Sequence, residues 1–288
     1  MTEVDQAGAQ PARQAGPAVA IGVLAGERPG PSEIAAAEGV ALKVLVDIDG
    51  LPMLRRVLEV AGEGAARAPV LVCGPEALLR AAEPWLESHT DSGALAWVPS
   101  APSPSRSARA IVEAGLATGA EAVLVTTGDH PLLTAATLRR FAADALATGA
   151  DAVAGLASYE AVRAAFPHSR RTALKFADGH RCGCNLFLFR GVRAARVLDF
   201  WQTVEGYRKQ PQKILGLLGP GLVVRYVAGR LTLSHALERL SVVAGAQVRV
   251  VAIDDPDAAV DVDNLEDLAT VRARWQVRTQ APRGNSKA

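Results

Sequence analysis

The sequence predicts an α/β protein with a three-layer α/β/α, Rossmann-like fold and a mostly parallel sheet. Short continuous apolar runs rich in Val, Ile and Leu recur along the chain, and such runs are typical of strands that are buried on both faces. Ala-rich helical stretches separate these runs. From residue 18 to about 155 strand and helix alternate, which is the pattern of successive βαβ units.

The elements follow from this alternation. The predicted strands are Ala18–Leu24, Val44–Ile48, Val70–Cys73, Ala94–Val98, Ala122–Thr126, Ala152–Gly155, Asn185–Phe189, Leu222–Val227 and Gln247–Ile253. The predicted helices are Met53–Gly62, Pro75–Glu87, Ser107–Thr118, Ala135–Thr148, Val192–Val204, Thr232–Val243 and Asn264–Val277. Beyond about residue 155 the pattern becomes mixed, so the strands near 185 and 222 are expected to be antiparallel or to form a subdomain.

The chain is predicted to form one domain over residues 18–276, elaborated at about 156–250. Residues 1–17 are rich in Ala, Gly, Gln and Pro without periodicity and are interpreted as a flexible arm, and residues 277–288 as a flexible tail. Between them we find no internal repeat and no Pro/Gly/Ser-rich linker long enough to separate two domains.

Composition excludes several classes of protein. The 288 residues are 49% hydrophobic, and 31 basic side chains nearly balance 30 acidic ones, so neither a disordered chain nor a nucleic-acid-coating protein is expected. The four tryptophans are scattered and are interpreted as packing aromatics, without the basic stripe of a single-strand binder. Three cysteines, the absence of a signal-peptide pattern and the absence of a long apolar run predict a cytoplasmic protein with no membrane span.

Ligands of doubly wound sheets bind beyond the carboxyl ends of the strands, so the loops there carry the candidate site. The first loop, Leu24–Gly30, contains two glycines that allow backbone N–H groups to approach a phosphate. The Arg28 guanidinium can donate two parallel hydrogen bonds to the same phosphate. The alternative is a plain surface turn. Lys43 lies just before an apolar run, where a lysine usually extends its amine to solvent.

Two acidic segments are candidate metal ligands. Asp129 follows an apolar strand in Thr-Gly-Asp-His-Pro, where its carboxylate is well placed for a hard cation such as Mg²⁺, or else caps the next helix. Asp261 and Asp263 alternate with Val, so an extended backbone places both on one side. The alternative for Asp263 is an N-cap, with Glu266 completing a capping-box pattern.

Together these segments resemble the MobA-like nucleotidyltransferases. The resemblance rests on LAGERPG, Lys43, DIDGLPML, TGDHP and VDVDNLEDL, in the same order and with similar spacing, and it covers roughly residues 18–276. It implies a GT-A-like nucleotidyltransferase fold and an enzyme that joins a nucleoside monophosphate from an NTP to a phosphorylated acceptor, releasing pyrophosphate. It also implies Mg²⁺ as cofactor.

The resemblance assigns roles to individual residues. It implies catalytic roles for Lys43, Asp129 and Asp263, with both aspartates as metal ligands and Asp261 as a weaker candidate. The implied nucleotide-binding residues are Leu24, Ala25, Gly26, Arg28, Lys43 and Ser105, and Ser103 and Ser107 lie near the last of these. Glu27 replaces the second glycine of the family's signature loop.

On the acceptor side the sequence offers Asn185, Arg171 and Lys175. The resemblance implies that the turn and strand at 183–187 bring their backbone and the Asn185 side chain to the acceptor. Arg171 and Lys175 belong to the basic cluster at 170–175, and a second cluster lies at 208–213; each either binds an acceptor phosphate or is a solvated face.

The predicted function is therefore transfer from an NTP to a small phosphorylated metabolite, such as a sugar or polyol phosphate or a molybdopterin-type cofactor. Two alternatives remain open at this point. A glycosyltransferase of GT-A type normally shows Asp-x-Asp where this chain has Asp129-His130-Pro131. A catalytically silent nucleotide-binding regulator is motivated by Glu27.

Overall fold

The apolar runs form one central sheet with helices on both sides. The computed structural model describes residues 19–280 apart from 27–29, 31, 66–68, 170, 208–212, 214, 215 and 218. The strands are β1 (Val19–Leu24), β2 (Asp47–Ile48), β3 (Leu51–Pro52), β4 (Val70–Gly74), β5 (Leu95–Pro99), β6 (Ala122–Thr127), β7 (Ala152–Ser158), β8 (Leu174–Phe176), β9 (Gly179–Arg190) and β10 (Val248–Ile253).

The described helices lie between and after these strands. They are α1 (Glu33–Glu38), α2 (Met53–Gly64), α3 (Glu76–Ala82), α4 (Trp85–Asp91), α5 (Pro104–Ala117), α6 (Ala135–Ala147), α7 (Tyr159–Ala165), α8 (Ala194–Gly206), α9 (Pro220–Val227), α10 (Leu233–Ala244) and α11 (Leu265–Gln280), with 3₁₀ turns at Lys43–Leu45 and Pro256–Ala259. No helix in the described part of the chain is long and apolar enough to cross a membrane.

The main sheet has the order β10-β7-β9-β6-β1-β4-β5, and β8 pairs with β9 at its side. Every pairing along this order is parallel except those of β9, which runs antiparallel to β6 and β7. The predicted fold class, a three-layer α/β/α fold with a mostly parallel sheet, is thus confirmed. The antiparallel strand expected near residue 185 is β9, and it belongs to the sheet.

Two hydrophobic layers cover the faces of the sheet. Along β1, Ile21 packs with α2 and α6 on one side, and Ala20 packs with α5 on the other. This alternation is the period-two geometry of a strand buried on both faces. At Gly22 an added Cβ would lie only 2.1 Å from Cγ2 of Ile111, so α5 approaches β1 more closely than a side chain would allow.

Several predicted elements are wrong. Leu222–Val227 is not a strand but lies in helix α9, which begins after Gly219 at φ 88° and has Pro220 in its first turn. Among the described residues no strand pairs with this apolar, β-branched segment, and without a partner strand β-propensity does not decide the structure. Val44–Ile48 is a 3₁₀ turn followed by the short hairpin β2–β3, and Pro75–Glu87 is two helices separated at Glu83 and Pro84.

The last helix is longer than predicted. The tail was expected from residue 277, but α11 continues to Gln280 because side chains near its end are anchored. Arg278 donates to the Leu132 carbonyl at 2.8 Å, and Arg274 lies 3.0 Å from the buried carboxylate of Asp257. The predicted arm at 1–17 and residues 281–288 lie outside the described residues.

Candidate active site

A cavity of about 690 Å³ opens at the carboxyl ends of β1 and β6. Leu24 ends β1, Thr127 ends β6, and both line this cavity together with Lys43, Asp129 and Asp263. The two strands are parallel neighbours, with Leu24 opposite Thr127 in the register. The carboxyl edge of an open α/β sheet is where ligands bind, so the sequence-predicted loops converge where this fold class predicts.

Lys43 forms ion pairs with both predicted metal ligands. Its Nζ lies 2.7 Å from Oδ2 of Asp129 and 3.0 Å from Oδ1 of Asp263. Thr127 donates its hydroxyl to the other oxygen of Asp129 at 2.6 Å. The Asp129 side chain is only 16% exposed, whereas that of Asp263 is 60% exposed. The Asp129 carboxylate is therefore held by two partners at the end of β6. The Asp263 carboxylate approaches Lys43 from the solvent side.

The charges of this cluster shift its pKa values. Burial raises the pKa of Asp129, but the adjacent Lys43 ammonium and the hydrogen bonds that the carboxylate accepts outweigh it, so the pKa is lowered. Burial lowers the pKa of Lys43, but Asp129 and then Asp263 outweigh it, so that pKa is raised. Both groups are therefore charged near neutral pH.

Local structure explains the position of Lys43. It opens the 3₁₀ turn Lys43–Leu45, whose next two side chains, Val44 and Leu45, are buried in the core. The hairpin that follows turns at Asp49 and Gly50, both with positive φ, and Asp47 accepts from the Gly50 N–H at 2.9 Å. The buried pair on one side and the tight turn on the other fix the direction in which the lysine leaves the backbone.

Asp261 completes a trio of carboxylates with Asp129 and Asp263. One oxygen from each of the three lies within 4.8 Å of the others. Three carboxylate oxygens at this spacing fit a hard divalent cation such as Mg²⁺, which prefers oxygen ligands and usually takes one or two carboxylates beside substrate phosphates. The Val262 N–H also donates to the Asp129 carbonyl at 3.1 Å, which joins the two acidic segments directly.

The cap of α11 lies one residue later than the sequence pattern suggests. Asn264 is the capping residue: its Oδ1 accepts from the Asp267 N–H at 2.9 Å. The Asp267 carboxylate in turn accepts from the Asp263 N–H at 3.2 Å and from the Asn264 amide at 2.8 Å. The alternative pairing of Asp263 with Glu266 is therefore wrong, and the Asp263 carboxylate is left to point into the cavity.

Arg171 anchors the segment that carries Asp261 and Asp263. Its guanidinium contacts the Asp261 carboxylate, donates to the Asp261 carbonyl at 2.9 Å, to Asp267 at 2.7 Å and to Ser169 at 2.9 Å. The side chains of Arg171 and Asp267 are only 10% and 6% exposed. Arg171 was predicted to contact an acceptor. Its guanidinium instead donates to groups of the protein itself, and Arg171 is absent from the described cavity lining.

Asn185 and His130 support Asp261 from the other side. Asn185 lines the cavity, and its amide nitrogen lies 2.8 Å from Nε2 of His130 and 3.3 Å from Oδ2 of Asp261. His130 is buried and does not face solvent. Asn185 has a positive φ of 47°, close to the point where the pairing of β9 with β7 shifts register. This backbone kink turns its side chain toward the acidic trio.

The residues of the first loop differ in position. Leu24 and Gly26 line the cavity, while Ala25 is buried and donates its N–H to the Cys73 carbonyl at 2.7 Å. Arg28 and Glu27 lie outside the described residues. The Gly128 N–H donates to the Leu24 carbonyl at 2.8 Å, so the first loop and the Thr-Gly-Asp segment are joined at the cavity floor.

Ser105 has a different position from its neighbours. It is buried, contacts the Glu205 carboxylate of α8 and lies 3.1 Å from the Ser103 hydroxyl. Ser103 caps α5, and both it and Ser107 line the cavity, whereas Ser105 is not among the described lining residues. The serines therefore bring the start of α5 to the cavity, with Ser105 linking that helix to α8.

An aromatic pair forms one wall of the cavity. Phe187 of β9 and Trp201 of α8 both line it, and their ring centroids are 5.6 Å apart. Trp201 was interpreted only as a packing aromatic, and its place here becomes visible only once α8 packs beside β9. Lys175, the remaining predicted acceptor contact, is exposed on β8 and is not among the described lining residues.

Sequence reasoning also missed Asp267 as the partner that fixes Asp263. The signal was available: Asn264 and Asp267 have the three-residue spacing of a capping pair, as do Asp263 and Glu266. No local rule distinguishes these two registers. The difference arises from Arg171, whose contact with Asp267 selects one of them.

Comparisons with solved structures show the same fold. A hypothetical transferase from Thermus thermophilus is 29% identical, with a TM-score of 0.71 over 88% of this chain and 99% of its own. CMP:2-keto-3-deoxy-manno-octonic acid synthetase complexed with CTP is 17% identical, with a TM-score of 0.54 over 91% and 99%. The 4-diphosphocytidyl-2C-methyl-D-erythritol synthase of Anaerococcus prevotii is 11% identical, with a TM-score of 0.51 over 91% and 100%.

The family comparison is more specific. No curated protein matches the chain. The model of the MobA-like NTP transferase domain matches residues 36–195, which is more than half of the 288 residues. This span contains Lys43, Asp129 and Asn185. The resemblance and the enzyme class inferred from the sequence are confirmed: the chain belongs to the MobA-like NTP transferase family, and the protein is a nucleotidyltransferase.

Proposed function

We propose that this protein is a Mg²⁺-dependent enzyme that transfers a nucleoside monophosphate from an NTP to a small phosphorylated metabolite and releases pyrophosphate. The acceptor class is a sugar or polyol phosphate, or a molybdopterin-type cofactor. The observation that carries the proposal is the convergence of Lys43, Asp129, Asp261 and Asp263 at one edge of the sheet in a single cavity. We further propose a cytoplasmic enzyme with one catalytic domain over residues 18–276.

Asp129 and Asp263 are the residues proposed to hold Mg²⁺, with Asp261 beside them. A bound Mg²⁺ supplies charge neutralisation for phosphate oxygens as negative charge redistributes during transfer. The carboxylates fit this role because Lys43 and Thr127 keep Asp129 oriented. Asp263 is the more exposed of the two and pairs with the same lysine.

Lys43 is proposed to offset charge on the triphosphate. Its ammonium lies at the two carboxylates proposed to hold Mg²⁺, so it is placed beside the phosphates that such an ion would bind. Nucleotidyl transfer requires little covalent chemistry from the protein, because positioning and charge compensation lower most of the barrier. Leu24, Gly26 and Arg28 of the first loop, and the serines at the start of α5, are the proposed nucleotide contacts.

The acceptor is proposed to bind between Asn185 and the Phe187–Trp201 wall. A phosphate acceptor is ionised near neutral pH, so its oxygen can attack the α-phosphorus without a general base. Asn185 offers an amide at the carboxylates, and the aromatic wall offers an apolar surface. Arg171 is proposed to position Asp261 rather than to touch the acceptor, and Lys175 stays a predicted contact.

The test is a thermal-shift panel of ATP, GTP, CTP and UTP, each with and without Mg²⁺. A ligand that binds only the native state raises its stability in proportion to the logarithm of its concentration over Kd. We expect a shift with at least one NTP that needs Mg²⁺, and the responding NTP is then used as donor in a pyrophosphate-release screen of phosphorylated acceptors. Mg²⁺-dependent shifts without release from any acceptor favour the silent nucleotide-binding protein.

Two variants test whether the Mg²⁺-dependent shift and turnover depend on Asp129. Asp129→Asn should abolish the Mg²⁺-dependent shift and turnover, and turnover should fall at least about a hundredfold because charge compensation at the reacting phosphate is lost. Asp91→Asn, at an exposed aspartate at the end of α4, is the matched control and should change neither. Near-normal turnover of Asp129→Asn would show that the metal site is elsewhere.

A further inference from the structure

The start of α5 carries three serines whose hydroxyl groups are hydrogen-bonded inside the protein. Ser103 and Ser107 line the catalytic cavity, whereas Ser105 lies between them in the sequence and is fully buried. Ser105 donates its hydroxyl to the Glu205 carboxylate of α8. The Ser105 oxygen also lies 3.1 Å from the Ser103 oxygen, so a second hydrogen bond joins the two serines. A chain of hydrogen bonds thus runs from Glu205 through Ser105 to the cavity wall.

The direction of this chain follows from the number of protons. A serine hydroxyl has one proton to donate and two lone pairs that can accept. Since Ser105 gives its proton to Glu205, it can only accept from Ser103, and Ser103 is the donor of the bond between the two serines. The Ser103 oxygen also accepts from the Arg106 N–H at 3.5 Å, as the cap of α5. Ser103 is therefore left with one lone pair and no proton for a ligand.

The neighbouring groups of this wall have the same polarity. The Ser107 hydroxyl donates to the Ala101 carbonyl at 3.4 Å and accepts from the Ala101 N–H at 3.0 Å, so its proton is also used inside the protein. Pro102 and Pro104 flank Ser103 in the cavity lining, and a proline has no backbone N–H to donate. The wall at the start of α5 therefore suits a ligand group that donates a hydrogen bond.

This wall lies to one side of the acidic trio. Helix α5 packs on β4 and β1, and Cys73 and Pro75, at the end of β4, line the cavity together with the serines. Because β1 separates β4 from β6, the end of β4 lies about 10 Å from the end of β6, where Asp129 follows. A nucleotide whose phosphates are held at the trio, as in the proposed function, can therefore extend its base towards Ser103.

We propose that Ser103 selects nucleobases by accepting a hydrogen bond from a base amino group, with Ser105 and Glu205 as the residues that position its lone pair. This inference rests on the proposed nucleotidyl transfer. Adenine, cytosine and guanine each carry an amino group that donates. Where uracil or hypoxanthine carries an oxo group instead, that group only accepts and would face the lone pair of Ser103. Two acceptors that face each other are both left without a partner, which is how such sites discriminate between bases.

The test is the thermal shift of the full chain with nucleotides that differ in one amino group. The pairs are ATP against ITP, GTP against ITP, and CTP against UTP, each titrated with Mg²⁺ present so that the concentration dependence gives Kd. In the pair that contains the tightest ligand, we expect the nucleotide with the amino group to have a Kd about tenfold lower than its partner, because a group left without its hydrogen bond is costly.

Two variants test the positioning residues. Ser105→Ala removes the group that takes the Ser103 proton, so Ser103 becomes able to donate as well as accept, and the Kd ratio should fall to about twofold. Glu205→Leu, at a half-buried residue, frees the Ser105 proton and should have the same effect. A variant that only weakens the fold would change both Kd values equally and leave their ratio unchanged. The matched control is Ser234→Ala, which removes an exposed hydroxyl that donates to Glu238 on α10 and should change neither Kd.

The possible failures are distinguishable. If UTP or ITP binds most tightly, or if the amino preference persists unchanged in Glu205→Leu or in Ser105→Ala, the selection by Ser103 is wrong while the proposed nucleotidyl transfer stands. If no NTP shifts the protein with Mg²⁺, the proposed function fails, and the inference about the base fails with it.

Discussion

Replacing Arg171 with Met tests whether the acidic segment depends on a buried ion pair. The guanidinium lies 2.7 Å from Asp267, and both side chains are almost fully buried. Removing one partner of a buried pair typically costs about 3–5 kcal/mol, because the other charge stays buried without compensation. Against a typical unfolding free energy of about 5–15 kcal/mol, the variant should still fold.

The loss should depend on pH in a defined direction. Burial already raises the pKa of Asp267, although the nearby Arg171 opposes this, so removing the arginine raises the pKa further. Between the pKa of an unfolded aspartate and this raised value, the folded state holds a proton that the unfolded state lacks. The stability of the variant therefore rises as pH falls, by about 1.4 kcal/mol per pH unit at most. Relative to the unaltered chain, the loss of stability should therefore be smaller at mildly acidic pH than at neutral pH.

The assay is urea unfolding followed by circular dichroism at both pH values. Arg171→Met is compared with Arg171→Met/Asp267→Asn, in which the amide keeps the shape of the carboxylate without its charge. The double variant should regain part of the lost stability, and the pH dependence that comes from Asp267 should disappear. A deficit that is equal at both pH values, or that Asp267→Asn does not reduce, would refute the argument that Arg171 compensates a buried carboxylate.

Two further predictions concern packing and thiol chemistry. Gly22→Ala should destabilise the protein by about 1–3 kcal/mol in the same unfolding assay, because its Cβ would collide with Ile111. Gly62→Ala, in helix α2 with open space around the new methyl group, should instead be neutral or stabilise the protein by about 0.5–1 kcal/mol. A similar loss of stability in both variants would show that the collision with Ile111 is not the cause. Burial raises the pKa of Cys184 to about 12, so its thiol should resist iodoacetamide at pH 8 until urea unfolds the chain; rapid labelling of the native protein would contradict this.

The sequence was sufficient for the seven strands β10-β7-β9-β6-β1-β4-β5 of the main sheet and for the first site residues. Apolar runs such as β1 and β6 are buried on both faces, so their composition alone identifies them, and their parallel pairing places Leu24 and Asp129 at one edge. Lys43 and Asp263 could be assigned because a family resemblance supplied their roles. The family match confirms that resemblance, and the roles of the individual residues stay predictions.

What could not be predicted depends on contacts between distant residues. The helical state of Leu222–Val227 is decided by the absence of a neighbouring strand, which no local pattern encodes. The choice of Asn264 over Asp263 as the cap is decided by Arg171, more than ninety residues earlier. Trp201 reaches the cavity only because α8 packs against α5 beside β9. In each case tertiary packing selects between two locally acceptable structures.

The order in which the chain is synthesised gives the acidic trio a consequence for biosynthesis. Asp129 belongs to the middle of the chain, whereas Asp261 and Asp263 follow β10, the final strand of the described sheet. A nascent chain that has emerged only as far as Ile253 contains every described strand but only one of the three carboxylates. Because domains fold as their segments leave the ribosome, the sheet can form before the metal-binding cluster is complete. The metal-binding cluster is thus expected to be completed only after residue 263 has emerged, later than the sheet can form.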